Sequence, residues 1–213
     1  MSLQLQIDRI LAGRPVASVE LKLQLGCGAN VLPGWINTDG APGPTADYVD
    51  FSKKLPFVDN LFAAVFLEHT IEHISKAEAQ SVVREVFRVL RPDGSFRLVT
   101  PSLENLARMV VDPQAEASQR YLAWFRQYSA NPAATLGDAV NLIFYGHGHR
   151  HIYSSDEMAD LLRAAGFTAV RSMVAGTYAH EIFRGIDGHG RVIGDAINGM
   201  EAFAIEAVKP AAA

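Results

Sequence analysis

The stretch Leu21-Lys22-Leu23-Gln24-Leu25-Gly26-Cys27-Gly28 constrains the fold more than any other. Leu21, Leu23 and Leu25 alternate with Glu20, Lys22 and Gln24, and a period of two belongs to a strand. That strand runs straight into Gly-Cys-Gly, where the backbone can turn sharply and approach a ligand that a side chain would exclude. A second short stretch, Trp35-Ile36-Asn37-Thr38-Asp39, ends in an acid. Nucleotide-binding α/β folds hold ribose hydroxyls with an acid at the end of the second strand. The two features together predict a nucleoside site built on the turn. Two others argue against NAD: Pro33-Gly34 breaks a helix after the turn, and Val31 stands where G-x-G-x-x-G needs its third glycine.

Further along, residues 40–46 read as a loop and Tyr48-Val49-Asp50 as a third strand ending in an acid. Leu61 to Leu67 is almost wholly apolar, as in a parallel strand covered on both faces. Ser75 and Glu78 form a capping box, and Val82, Val83, Val86, Phe87 and Leu90 follow at helical spacing. Pro92-Asp93-Gly94 stops that helix, and Ser95 to Thr100 reads as a fifth strand. Residues 101–146 are helical in pattern. Ser154 to Glu157 reads as a second capping box, with Gly166 closing its helix. Thr168–Val174 and Ala202–Val208 read as the last strands, and Ala175 to Met200 is a glycine-containing stretch without a decisive pattern. Residues 3–12 suit a short amphipathic helix. The expectation is a doubly wound, mostly parallel seven-stranded α/β sheet. It occupies one domain, 1–213, with 101–150 as a helical insertion or lid.

The chain has 213 residues, 49% of them hydrophobic and 20% charged, enough for a sizeable core. Lys and Arg total 19 against 23 Asp and Glu, so no basic excess draws it to nucleic acid. Its one cysteine excludes an internal disulfide and suits a reducing compartment. With no apolar run near the ~20 residues of a bilayer span and no signal-peptide core, a cytoplasmic protein acting on a small molecule is expected.

Two histidine clusters raise the question of metal. His69-Thr70-Ile71-Glu72-His73 matches the H-x-x-E-H pattern of some zinc hydrolases, but it abuts a strand and lies outside the helix such a site needs. His147, His149 and His151, with Arg150 and Tyr153, would share one side of an extended segment. A metal there lacks a fourth ligand in the sequence, and contact with substrate is the reading preferred. No bound metal is expected.

The motifs Leu25-Gly26-Cys27-Gly28, Leu32-Pro33-Gly34-Trp35, Asn37-Thr38-Asp39, Glu68-His69 to Glu72-His73 and Arg88 to Gly94 occur in this order over about the first hundred residues. The chain resembles the class I S-adenosylmethionine-dependent methyltransferases, above all a bacterial small-molecule group whose first motif continues into Leu-Pro-Gly-Trp. Asp93 departs from it, since glycine is commoner there. The resemblance implies S-adenosylmethionine as cofactor, with Leu25, Gly26, Cys27 and Gly28 passing under its methionine part. It implies Asp39 on the ribose, Asp50 and Phe51 at the adenine, and Leu67 and Glu68 beside the sulfonium. Methyl transfer to an oxygen or nitrogen of a small acceptor follows, with His69 as the favoured base and His151 as an orienting residue. Two alternatives stay open: a cofactor-binding relative without turnover, and a zinc metallohydrolase using His69, Glu72 and His73. The acceptor and the oligomeric state are not legible.

Overall fold

The computed structural model describes residues 7, 19–41, 46–51 and 53–211. The expected helix at 3–12 and the middle of the 40–46 loop lie outside them. Seven strands form one sheet: β1 Lys22–Leu25, β2 Ile36–Asp39, β3 Asp47–Tyr48, β4 Phe62–Glu68, β5 Leu90–Pro101, β6 Thr168–Val174 and β7 Ala202–Val208. Their spatial order is β3-β2-β1-β4-β5-β7-β6. Pairings from β3 to β5 are parallel, and β7 runs antiparallel to both β5 and β6. The order reverses between β1 and β4, where open α/β sheets leave a crevice at the strand ends.

Alternation divides the core in two. Val65, Leu67, Phe96, Leu98, Phe203 and Ile205 share one face with Val82, Val83 and Val86 of α1 (Lys76–Val89) and Met158 and Leu162 of α5 (Ser155–Ala164). Ala64, Phe66, Val99, Ala202 and Ala204 face the other way, against Trp35, Phe183 and Ile186. Each face is apolar because each is covered.

Helix α1 starts at the predicted box: Glu78 N–H donates to Ser75 Oγ, and Ser75 N–H donates to Glu78 Oε2 at 2.7 Å. The second expected box is half made. Ser154 Oγ accepts from Glu157 N–H, but the Glu157 carboxylate turns instead to Lys76 and His151. Strand β5 begins five residues earlier than predicted, because Asp93 takes a left-handed conformation (φ 61°) and bulges the strand without ending it. Aspartate, like asparagine, tolerates that conformation better than most residues with a Cβ. Strand β3 is shorter than expected, and Asp50 lies beyond it.

Three helices follow β5: α2 Leu103–Val111, α3 Glu116–Tyr128 and α4 Leu136–Tyr145. The undetermined stretch before β7 contains two more, α6 His189–Ile193 and α7 Asp195–Glu201. Tyr121, Leu122 and Phe125 of α3 pack with Leu136 and Ala139 of α4 and Ile197 of α7. Among the described residues, no helix is long and apolar enough to cross a membrane.

On the second face, Arg97 of β5 sits opposite Glu206 of β7. Their side chains are 1% and 0% exposed and meet at 2.6 Å. Asp187 completes the guanidinium's partners at 2.8 and 2.5 Å. Breaking a buried pair costs about 3–5 kcal/mol because the remaining charge is stranded. Arg97→Ala should therefore lower unfolding free energy by about that much in urea titrations. Arg163→Ala, which removes an exposed pair with Asp160, should leave it unchanged.

Candidate active site

Gly26 follows β1 with φ 69°, and a Cβ there would lie 2.2 Å from Thr70 Oγ1. Only glycine lets the turn pass this close to the exit of β4. Gly28 N–H donates to Asp39 Oδ2 at 2.7 Å, and Ala41 N–H to Asp39 Oδ1 at 2.9 Å. Asp39 thus fixes the glycine turn and the loop after β2 from its place at the end of that strand. Cys27 is buried, and its thiol is pushed up to about 11 by desolvation first and by the charge of Asp39 second. Asp50 pairs with Lys53 at 2.9 Å. Phe51 lies against Gly40, its ring edge 3.3 Å from where a Cβ would stand.

At the end of β4 the two expected residues diverge. Leu25 and Leu67 both point into the core, 0% and 1% exposed, so neither presents a side chain to a ligand. Glu68 accepts N–H bonds from Gly188 at 2.8–2.9 Å and from His189 at 3.0 Å, and from Asn30 Nδ2 at 3.2 Å. A carboxylate at the first turn of α6 suits the positive end of that helix. Arg191 reaches back to Asn30 Oδ1 at 2.6 Å. These contacts fold 186–192 over the glycine turn and leave a groove of about 400 Å³. Gly26, Cys27, Gly28, Asn30, Glu68, His69, His189 and Arg191 are among its lining residues.

His69 has a left-handed backbone (φ 47°), uncommon for a residue with a side chain and enriched at functional sites. Its Nδ1 lies 3.1 Å from Glu72 Oε1, and Glu72 Oε2 accepts from Thr100 Oγ1 at 3.1 Å. Burial alone would lower the His69 pKa. The hydrogen bond and charge of Glu72, with the charges of Glu68 and Glu201, outweigh burial and raise it. Its Nε2 is buried and meets no partner among the described residues. The ring lies 4.0 Å from that of His189, whose Nε2 is 3.2 Å from Glu201 Oε1. Tyr121 Oη donates to Glu201 Oε2 at 2.6 Å, and desolvation followed by the Glu201 charge pushes this phenol far above its usual range.

A second cavity of about 330 Å³ lies beyond the two imidazoles. Tyr121, Trp124, Phe125 and Tyr128 of α3 and Leu142 and Ile143 of α4 form its apolar wall, and His73, His147, His149 and Glu201 add polar groups. His69 and His189 line both cavities and so stand between them. His151 lines neither: its Nε2 is held 3.1 Å from both oxygens of Glu157, beside Tyr153. The three-histidine alternation fails because His147 and Gly148 both have positive φ, which breaks the extended run. His149 Nδ1 lies 2.5 Å from Ile143 O, and burial lowers its pKa. Asn30, His189, Arg191, Glu201 and the α3 aromatics carried no motif. The run of glycines at 185, 188 and 190 was the available hint of a backbone approach.

A sequence profile for a methyltransferase domain matches residues 40–98. The chain is 31% identical over 121 residues to the ubiquinone/menaquinone biosynthesis C-methyltransferase of Desulfotalea psychrophila, covering 56% of this chain and 45% of that protein. The chain thus matches under half the length of this curated relative. An S-adenosylmethionine-dependent methyltransferase from Archaeoglobus fulgidus has the same fold, with TM-score 0.52, 16% identity, and coverage of 98% of this chain and 95% of that one. The CMeT domain of citrinin polyketide synthase also matches, with TM-score 0.52, 14% identity, and coverage of 95% of this chain and 50% of that one. These findings show a methyltransferase-domain match over residues 40–98 and a fold shared with solved methyltransferases. The fold is Rossmann-like.

A thiol with a pKa near 11 holds far less thiolate at pH 8 than a free cysteine with a pKa near 8.5. Iodoacetamide should therefore modify Cys27 in the folded protein at least about a hundredfold more slowly than free cysteine at that pH. The rate should rise on raising the pH toward 11, as followed by mass spectrometry.

Proposed function

We propose that the chain transfers the methyl group of S-adenosylmethionine to an oxygen or nitrogen of a small molecule seated in the aromatic cavity. The observation that carries this reading is the pair of cavities meeting at His69 and His189, at the switch point of the sheet. The residues present fit the cofactor: a glycine turn that a Cβ would obstruct, an acid at the end of β2, and a cation, Arg191, in the same groove. S-adenosylmethionine supplies a methyl group activated by its sulfonium.

The protein's own part is to bind, align and dry the two reactants. Gly26 and Gly28 let the backbone run beneath the methionine part, and Arg191 faces its carboxylate. Asp39 accepts from the ribose hydroxyls, which its remaining lone pairs allow, and Asp50 and Phe51 bound the adenine. The α3 and α4 aromatics hold the acceptor, and residues 101–150 act as a lid within a single domain. His69 takes the acceptor's proton, because its Nε2 has no partner among the described residues and it stands in the wall between the cavities. His189, and not His151, is its neighbour there. Glu72 orients His69 by holding Nδ1.

A hydrogen bond to a charged group contributes about 1.5–3 kcal/mol. Calorimetry should give micromolar S-adenosylmethionine binding, weakened about tenfold to a hundredfold in Asp39→Ala, with no comparable binding of NAD. Equal affinity in the variant removes the ribose assignment. With an acceptor found by screening, His69→Ala should lower turnover about 10²–10⁴-fold while cofactor affinity changes little. Cofactor binding without methylation of any acceptor would favour a binding protein that has lost turnover.

A further inference from the structure

We propose that Glu72, His73 and His149 form a binding site for a divalent metal ion of the zinc class. The sequence argued against metal because the first histidine cluster abuts a strand outside any helix and the second lacks a fourth ligand. The fold joins the clusters. Arg150 N–H and His151 N–H both donate to Glu72 O, at 2.7 and 3.2 Å, which fastens the 147–151 loop to the 3₁₀ turn Ile71–His73. The His73 and His149 rings then meet edge to face at 4.7 Å. One ligating atom from each of the three residues lies within 4.8 Å of the other two. Bonds of about 2.0–2.2 Å need donors somewhat closer than this. Small side-chain rotations on the exposed side of the turn would close the gap.

The surroundings are those of a chelating set. Metal-bound histidines usually donate their other ring N–H to a carbonyl or carboxylate. His149 has that arrangement: with the proton on Nδ1 it donates to Ile143 O, leaving Nε2 for a metal. Glu72 is fully buried and steadied by His69 on one oxygen and Thr100 on the other, as ligating carboxylates are. Two imidazoles and a carboxylate suit Zn²⁺ or Co²⁺ and do not suit Mg²⁺ or Ca²⁺, which favour oxygen. His73 and His149 also line the aromatic cavity, so the remaining coordination positions open onto space a small oxygen or nitrogen ligand can enter. Three protein ligands and an open position mark catalytic zinc sites, whereas structural ones are closed. His147, its ring 5.7 Å from that of His149, is a further imidazole beside the set. The inference rests on chelation and holds whether or not the chain transfers methyl groups.

The test uses tag-free protein stripped with EDTA and titrated with Zn²⁺ by calorimetry, with Co²⁺ absorption as a second readout. One equivalent should bind, with the visible bands of tetrahedral or five-coordinate Co²⁺. Losing a supporting partner typically costs about 10–100-fold in metal affinity, so His149→Ala should cost at least about a hundredfold. His73→Gln should do the same, while His151→Ala, outside the set, should bind Zn²⁺ as the parent does. Circular dichroism confirms that each variant is folded; should one fail, the other carries the comparison. No stoichiometric uptake, or equal Zn²⁺ affinity in both ligand variants and the parent, overturns the proposal.

Discussion

Glu206 lies inside a sheet strand with no exposed surface, and an ionised carboxylate there needs donors on every side. Arg97 supplies one oxygen's partner from the neighbouring strand. The second oxygen draws on the late segment, accepting from Ala179 N–H, His180 N–H and His180 Nδ1. Asp187, on the same segment, returns to Arg97 and also accepts from Gly176 N–H. Residues 175–188 are therefore laid on the sheet largely by charge. Phe183 and Ile186, with Ala175 and the partly buried Ile182, add apolar contact between those anchors. Charge of this kind fixes position sharply, because each hydrogen bond has a preferred direction that apolar contact lacks.

That placement makes the site. With 175–188 pinned, Gly188 and His189 arrive at Glu68, and a Cβ on Gly188 would stand 2.4 Å from Asn30. The groove thus has an early wall, residues 26–30, and a late wall, 186–192, joined by one carboxylate at the end of β4. His189 then lies on His69, and Glu201 behind it reaches Tyr121 on α3. The aromatic wall of the second cavity is consequently set by the same late segment that closes the first.

How far the sequence foretold this follows from the range of the forces. Strand alternation, the Ser75 box and the Gly26 to Asp39 spacing act over a few residues or one crossover, and all are found in place. The bulge at Asp93 was hidden because a Pro-Asp-Gly stretch reads the same whether it stops a helix or kinks a strand. The resemblance placed Leu67 beside the sulfonium, and the strand's period turns its side chain into the core. His151 was misdirected by positive φ at His147 and Gly148, which no pattern of side chains announces. Arg97 and Glu206 are 109 residues apart, and nothing local in either strand marks them as partners.

The division of labour along the chain also has a physical root. The groove's fixed parts, residues 26–30 and 68, are a backbone turn and an acid at strand ends, where the sheet leaves little freedom. The aromatic cavity is built by helices α3 and α4, tied to the sheet through Tyr121–Glu201 and the contacts around Ile197. Side chains such as Trp124, Tyr128 and Leu142 can change there without disturbing a strand. A chain of this kind can therefore alter which molecule enters the second cavity while keeping the first as it is. The two imidazoles between the cavities belong wholly to neither, since His69 comes from the end of β4 and His189 from the segment that Glu68 and Glu206 hold. Their distance of 4.0 Å is where these two sets of constraints meet.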